Sequence, residues 1–271
     1  MNMLRGLARP FMLIAIAAAV ALSACATPPE KPDPADYRQT MQMLNQKRAI
    51  QPDVVLNDLH IFTVSDNLHV YRSYFDLGSQ RLHANGMLMI GTDRITIIDA
   101  PWTAAAAYEL LDWLDSNFPG KVKRLVITHA HDDRMGSIDV FAERGIPIYS
   151  QRNTAQIARK KGWTAPNFVF DGNLPLRSGE QAVELFYPGP AHALDNIIAW
   201  FPDDKVLFGG CMVKSRHAET LGFTGDANEQ SWPLALRRAL ARYPEAQQVI
   251  PGHGLPGDAQ LLTHTIELLE D

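Results

Sequence analysis

The sequence predicts a single α/β domain in which sheets pack between layers of helices. Stretches rich in β-branched and apolar residues, typical of strands, alternate with stretches whose apolar residues repeat at helical spacing. The two halves are alike, because one contains VITHAH at residues 126–131 and the other VIPGHG at residues 249–254. In each half a predicted strand leads into a histidine-containing loop, so we expect the functional residues at strand ends.

The first 24 residues have the features of a bacterial lipoprotein signal peptide. Arg5 and Arg9 precede an apolar run at residues 11–22, which is shorter than the ~20 residues of a membrane-spanning helix. The sequence LSAC at residues 22–25 is similar to a lipobox, so we expect cleavage before Cys25 and lipid on its sulfur. Ordinary secretion, with Cys25 a bystander, is the alternative.

The residues after Cys25 predict where the protein resides and where its folded part begins. Residue 26 is alanine rather than aspartate, which by similarity to sorted lipoproteins predicts a periplasmic protein anchored to the outer membrane. Residues 25–50 are polar and begin with a proline-rich stretch, as is typical of a flexible tether. Residues 51–271 remain for the folded domain.

The composition is typical of a soluble enzyme. The chain is 46% hydrophobic and 20% charged, and its formal net charge is −5. Because this charge gives no basic footprint, we expect no nucleic-acid partner. A small molecule and water are the expected partners, and we expect the protein to be a monomer.

Only two cysteines are present, Cys25 and Cys211. If Cys25 carries lipid, no internal disulfide is possible, and Cys211 is a free thiol in an oxidising compartment. Metal ligation as a thiolate would be a physical reason to keep such a residue. Simple burial of the thiol is the alternative.

The first half of the domain is predicted to contain strands followed by one helix. Alternation of apolar and polar residues over 54–75 predicts extended structure, whereas the composition of 75–86 predicts a mobile hairpin loop. Apolar residues share one face of a predicted helix over 103–118, with Thr103 as its N-cap. Further strands are expected at 87–90, 95–98 and 122–128.

The second half is predicted to mix short strands with four helices. The strands are expected at 146–149, 183–187, 197–201, 206–208 and 249–250. The helices are expected at 132–144, at 153–161, from about residue 228, and at 258–269.

The stretch from His129 to Gly136 is the centre of the predicted site. In an extended segment alternate side chains point the same way, so His129 and His131 can bind one metal ion, and Asp133 can reach the same cavity. Three more metal-competent side chains follow predicted strands, namely His192, Cys211 and His253. The histidines at 60, 69, 217 and 264 have no such context.

The order of these motifs resembles that of the subclass B1 metallo-β-lactamases. The resemblance extends from about residue 60 to 269 and includes ANG at 84–86, DAPWT at 99–103, HAHDDRMG at 129–136, FYPGPAHALDN at 186–196, FGGCMVK at 208–214 and GDAN at 225–228. Cys211 is the most specific feature, because other hydrolases of that fold usually have Asp there and a further His at the position of Arg134.

The resemblance implies a four-layer αββα sandwich, the metallo-β-lactamase fold, that binds two Zn²⁺ ions. By this resemblance, one zinc is held by His129, His131 and His192, and the other by Asp133, Cys211 and His253. The implied activity is hydrolysis of the β-lactam amide of penicillins, cephalosporins and carbapenems by a zinc-bound hydroxide, which would give antibiotic resistance.

The resemblance also assigns roles around the metals. Asp133 would orient the nucleophile, and Lys214 would pair with the carboxylate that most β-lactams carry. His83 and Phe223 are candidate substrate contacts. Two further carboxylates, Asp99 and Asp195, either accept hydrogen bonds from ligand histidines or are ordinary turn residues, and Arg134 is expected to be a charge partner beneath the metals.

Four positions depart from the family pattern. Phe223 stands where many members have an Asn thought to assist the carbonyl oxyanion. Ala191 and Ala193 replace a usual Gly and Thr beside the third histidine, and Ser137 replaces a Gly. We expect these departures to affect substrate range and turnover more than metal binding.

Two other functions remain open at this stage. One is a different hydrolase of the same fold, acting on a lactone or thioester. The other is a lipid-anchored zinc-binding protein without turnover. Cys211, Arg134 and Lys214 favour a β-lactamase over the first, and the intact ligand set with Lys214 favours it over the second.

Overall fold

The computed structural model describes residues 51–270. The predicted signal peptide at 1–24, the lipidation site Cys25 and the tether at 25–50 lie outside the described residues. In the part of the chain that is described, no helix has the length and apolar character needed to cross a membrane.

Residues 51–270 contain thirteen strands, which form two sheets. The first sheet has eight strands in chain order, antiparallel from β1 to β5 and parallel from β5 to β8. They are β1 (Val54–Val55), β2 (Leu59–Ser65), β3 (Leu68–Leu77), β4 (Gln80–Ile90), β5 (Arg94–Ile98), β6 (Val122–Ile127), β7 (Ile148–Gln151) and β8 (Phe168–Phe170).

The second sheet has five strands in the order β13-β12-β11-β10-β9. They are β9 (Asn173–Ser178), β10 (Gln181–Phe186), β11 (Ile198–Phe201), β12 (Val206–Gly210) and β13 (Gln248–Pro251). Strands β12 and β13 are parallel, so the loops that follow them leave from the same edge of the sheet.

Three apolar clusters separate four layers, which confirms the predicted αββα sandwich. The first lies between the first sheet and the first four helices, the second between the two sheets, and the third between the second sheet and the last two helices. The helices in the described part of the chain are α1 (Ala104–Asn117), α2 (Asp132–Met135), α3 (Ile138–Glu143), α4 (Arg152–Lys161), α5 (Trp232–Arg242) and α6 (Gln260–Glu270).

The central strands are apolar on both faces because both faces are covered. Successive residues of a strand point to opposite sides of the sheet. On β6, Leu125 and Ile127 therefore enter the core beneath the helices, while Val126 enters the core between the sheets. This double burial fixes the end of β6, and with it the start of the motif that begins at His129.

The segment 75–86, expected to be a mobile hairpin loop, forms a hairpin as predicted, but its arms are strands rather than loop. Strands β3 and β4 stay paired out to Leu77 and Gln80, and Gly78 has the positive φ of 61° that its tight turn requires. The ring of Phe75 stacks on Trp102 at 5.1 Å between centroids. The polar residues and glycine suggested a loop, but ladder hydrogen bonds and this aromatic contact order the segment.

Two other expectations need correction. The helix predicted at 132–144 is divided into α2 and α3 at Gly136, where a Cβ atom would lie 2.4 Å from the carbonyl oxygen of Trp102. Strands β8 and β9 were not predicted. Both are short and lie at sheet edges, and β9 contains Pro175, which an edge strand tolerates because one side of its ladder is unpaired.

His69 on β3 is partly buried, and both nitrogens of its ring are shielded from solvent. Neither of its ring nitrogens has a hydrogen-bond partner among the described residues. Burial lowers its pKa from 6.5, against an opposing effect of Asp53, so the folded protein holds the ring neutral. The unfolded chain binds a proton there as the pH falls through 6.5, and the free energy of unfolding decreases in that range.

We therefore expect His69→Leu to raise the free energy of unfolding by about 1–3 kcal/mol, because it removes the buried unpaired nitrogens. The gain should be larger at pH 5 than at pH 7.5, since leucine cannot take up a proton. Urea unfolding of both proteins at the two pH values measures it. His264→Leu is the matched control, because His264 bonds the carbonyl oxygen of Ala218. A gain that does not change with pH would contradict the assignment.

Candidate metal centre and active-site cavity

Six metal-competent side chains converge where strands of both sheets end. Parallel and buried strands deliver their following loops to one edge, so residues distant in sequence meet there. His129, His131 and Asp133 follow β6, His192 lies between β10 and β11, Cys211 follows β12, and His253 follows β13.

The first group consists of three histidines. Nε2 of His129 and Nδ1 of His131 are 3.1 Å apart, and Nε2 of His192 lies 3.3 Å from the same Nδ1. Zinc–nitrogen bonds of ~2.0–2.1 Å in a tetrahedron separate two ligand atoms by about 3.3–3.4 Å. The spacing therefore fits a common ion.

The second group consists of Asp133, Cys211 and His253. Sγ of Cys211 lies 3.3 Å from Oδ2 of Asp133 and 3.4 Å from Nε2 of His253, and that nitrogen lies 3.0 Å from the same Oδ2. All three ligand atoms fall within 4.8 Å of one another. The two groups adjoin, because His129, His131 and Asp133 also form such a cluster.

Hydrogen bonds to the opposite ring nitrogens leave the converging nitrogens free to bind a metal. The hydroxyl of Thr128 donates its proton to Asp99, so its oxygen accepts a hydrogen bond from Nδ1 of His129. Because Nδ1 carries the ring proton, Nε2 of His129 keeps a free lone pair. Nε2 of His131 donates to Asp226 over 3.1 Å, which leaves Nδ1 as the acceptor. His129 and His131 therefore present the tautomer that a metal requires, whereas Nδ1 of His192 has no hydrogen-bond partner among the described residues.

His253 is oriented in the same way. Its Nδ1 donates to the carbonyl oxygen of His83 over 2.6 Å, so Nε2 points at Asp133 and Cys211. Burial lowers its pKa, but the charge of Cys211 and the bond with Asp133 outweigh burial and raise that pKa to about 9. The ring is then cationic at neutral pH, and a bound metal cation would replace its proton.

Burial and neighbouring charges set the protonation of the other ligands. Burial alone would raise the pKa of Asp133, but Arg134 and the bond with His253 hold it well below its usual value. Burial lowers the pKa of His129 well below 6.5 and that of His192 to about 2. A carboxylate and neutral imidazoles are the forms that bind metal.

Arg134 lies beneath the ligands and is completely buried. Its Nε donates to Asp133 over 2.9 Å, and one terminal nitrogen donates to Asp99 over 3.2 Å and to the carbonyl oxygen of Asn85 over 2.6 Å. The other terminal nitrogen donates to the carbonyl oxygen of Gly252 over 2.9 Å. The expectation of a charge partner beneath the metals agrees with these contacts.

Neither Asp99 nor Asp195 accepts a hydrogen bond from a ligand histidine in the structure. Asp99 accepts from the backbone and hydroxyl of Thr128, and its influence reaches His129 only through that hydroxyl. Asp195 accepts from the backbone of Ala130, between the two histidines of the motif. Both carboxylates therefore position the backbone that carries the ligands.

The two ligand groups open into a cavity of about 670 Å³. Lys214 lies in its wall, half-buried, with its ammonium 5.5 Å from the centre of the Trp232 ring, and burial lowers its pKa. Phe223 is 63% exposed at the opening, and its ring meets His131 edge-on at 5.6 Å. Apolar side chains supply much of the remaining wall, among them Leu82, Trp102, Trp163, Val213 and Leu221.

Other predicted positions lie outside this wall. His83 is behind His253 and does not line the cavity. Ala191 and Ala193 are buried, and the backbone of Ala191 donates to the carbonyl oxygen of Ala193 across the third histidine. The hydroxyl of Ser137 donates to the carbonyl oxygen of Pro101.

Sequence reasoning missed two residues that position ligands. Asp226 orients His131, and although its motif GDAN was noted, no role followed from a carboxylate so far along the chain. Thr128 connects Asp99 to His129, and in the sequence it was only the last residue of a predicted strand.

The sequence is similar to those of known proteins over most of its length. A profile of the metallo-beta-lactamase superfamily matches residues 80–253, a span that contains all six candidate ligands. A metallo-beta-lactamase type 2 of Bacillus cereus is 32% identical over 237 residues, which cover 86% of this chain and 93% of that relative. Another, from Bacteroides fragilis, is 31% identical over 216 residues, which cover 79% of this chain and 87% of that relative.

Solved structures give the same result. A metallo-beta-lactamase from Pontibacter korlensis superposes with a TM-score of 0.76 at 35% identity, covering 79% of this chain and 99% of that one. The DIM-1 metallo-beta-lactamase superposes with a TM-score of 0.74 at 34% identity, covering 80% of this chain and 99% of that one. As its motifs predicted, the chain belongs to the metallo-β-lactamase superfamily, and its curated relatives are of the type 2 group.

Proposed function

We propose that this protein is a zinc-dependent β-lactamase, which hydrolyses the amide bond of β-lactam antibiotics. The observation that carries the proposal is the pair of adjoining ligand groups at the base of a cavity that also contains Lys214. The names of the relatives support it, because proteins similar over most of the chain are metallo-beta-lactamases.

The chemistry of the donor set fits two zinc ions. Three neutral imidazoles, from His129, His131 and His192, form one group, and the second group adds a carboxylate and a thiol that binds as thiolate. Bound zinc would act as a Lewis acid on the scissile carbonyl and lower the pKa of water to ~7.

The side chains of the cavity give the substrate its orientation. Lys214 can pair with the carboxylate that most β-lactams carry, because its ammonium lies in the wall beside the ligands. Asp133 accepts hydrogen bonds through Oδ2 from Arg134, so its carboxylate is fixed and can orient a nucleophilic water. The apolar wall, with Trp102 and Phe223, would exclude bulk water from the bound ring.

Hydrolysis of nitrocefin and imipenem by the purified zinc-loaded protein tests this function. We expect turnover of both, loss of turnover with a chelator, and recovery when zinc is returned. Cys211→Ala should lose most of the activity, since it removes a ligand of one group. A lactone and a thioester, assayed beside them, distinguish other hydrolases of this fold. Cleavage that survives the chelator, or cleavage of the ester substrates alone, would refute the proposal.

Lys214→Gln should raise KM for carboxylate-bearing β-lactams with little change in kcat. The loss of a charged hydrogen bond, worth about 1.5–3 kcal/mol, corresponds to an increase of roughly 10–150-fold. Lys161→Gln is the matched control, because Lys161 lines the same cavity but donates to the carbonyl oxygen of Ala130. Steady-state kinetics should show a much smaller effect for the control. Equal effects of the two variants would argue against a specific role for Lys214.

Phe223→Asn should change kcat/KM unequally among penicillins, cephalosporins and carbapenems. The variant exchanges an apolar ring beside His131 for an amide that can donate to a carbonyl oxyanion, an interaction worth up to ~2.7–4 kcal/mol where it acts. Leu221→Asn, in the same loop and cavity wall, is the control for added polarity. Unchanged kinetics on all three classes would show that residue 223 does not select substrates.

A further inference from the structure

The turn at residues 251–254, which carries His253, is held by a polar cradle from strands β3 and β4. The side-chain amide of Asn85 donates to the carbonyl oxygens of Pro251 and Gly254, both over 2.9 Å. The guanidinium of Arg72 donates to Oδ1 of Asn85 over 3.1 Å and to the carbonyl oxygen of Gly254 over 3.4 Å. The carbonyl oxygens of the turn are therefore fixed from one side.

His83 completes this cradle with two contacts that flank the ligand. Its carbonyl oxygen accepts from Nδ1 of His253 over 2.6 Å. Nε2 of its imidazole accepts from the backbone N–H of Gly254 over 3.0 Å. One residue thus holds both the ring of His253 and the backbone that follows it.

The backbone of this turn needs such a restraint. Two of its residues are glycines, and glycine has the largest backbone freedom of any residue. Gly254 has a positive φ of 83°, and a Cβ atom on Gly252 would lie 2.7 Å from Sγ of Cys211. Glycine is therefore required for close approach to Cys211, and the rigidity has to come from outside the turn.

The imidazole of His83 acts as an acceptor, which defines its state. Because the N–H of Gly254 points at Nε2, the ring proton must lie on Nδ1 and the ring must be neutral. The direction of this hydrogen bond therefore identifies Nε2 of His83 as an acceptor.

We propose that the imidazole of His83 is a positioning group for the metal ligand His253. By fixing Gly254, it sets the distance from Nε2 of His253 to Sγ of Cys211 and to Oδ2 of Asp133. This inference rests on the proposed function, since it takes these three side chains as ligands of one metal ion. It also gives His83 a role other than substrate contact, in keeping with its place behind the cavity wall.

The test compares two replacements of His83 in the full metal-free chain. His83→Leu keeps most of the bulk and removes the acceptor, whereas His83→Gln supplies an amide oxygen that can accept from Gly254. His264→Leu is the matched control, because His264 is a partly buried histidine that bonds the carbonyl oxygen of Ala218, outside the cradle. Circular dichroism verifies folding, and His83→Ala replaces the leucine variant if that one does not fold.

Cobalt is the probe, because thiolate-to-cobalt charge-transfer absorption reports a cysteine ligand, and Cys211 is the cysteine of the folded domain. We expect the dissociation constant of that site to increase about 10–100-fold in His83→Leu, and to recover in His83→Gln. Cobalt bound to the three histidines, followed by its ligand-field absorption, should be unaffected. The control should match the unchanged protein.

Three results would overturn the proposal, and the third is distinguishable from the first two. Wild-type affinity in His83→Leu, or equal weakening in His83→Leu and His83→Gln, would show that the acceptor does not position His253. Absence of charge-transfer absorption in the unchanged protein would instead remove Cys211 from the ligand set, and the proposed metal centre would fail with it.

Discussion

The buried guanidinium of Arg134 is the interaction on which the site depends. It contacts Asp133 and Asp99, and it also bonds the carbonyl oxygens of Asn85 on β4 and Gly252 after β13. A buried charge costs several kcal/mol in desolvation, and here its hydrogen bonds to two carboxylates and two carbonyls offset that cost. Both sheets are therefore joined directly beneath the candidate ligands.

Much of the fold could be predicted, because burial leaves a clear pattern in the sequence. Strands covered on both faces, such as β5 and β6, end in consecutive apolar residues, and α1 shows both its apolar face and its cap at Thr103. The resemblance to a known family supplied the layer order. The six candidate ligands are brought together as predicted, and their individual roles remain predictions.

The remainder depends on contacts between distant segments, which local patterns do not show. The hairpin of β3 and β4 looks like a loop because its residues are polar, but its order comes from the ladder and from Trp102. The contacts of Asp226 and His83 with the ligands exist only after both sheets have packed. The division between α2 and α3 lies at Gly136 and Ser137, beside a close approach of Trp102 that no helical pattern encodes.

Each candidate ligand group contains residues that follow strands of both sheets. In the first group, His129 and His131 follow a strand of the first sheet, and His192 follows a strand of the second. In the second group, Asp133 comes from the first sheet, and Cys211 and His253 come from the second. An ion held by such a group would cross-link the two halves of the sandwich. Because the unfolded chain offers no such assembled group, resistance to unfolding would then increase with the logarithm of free-ion concentration. The stability of the protein would then depend on the metal ions available to it as well as on its sequence.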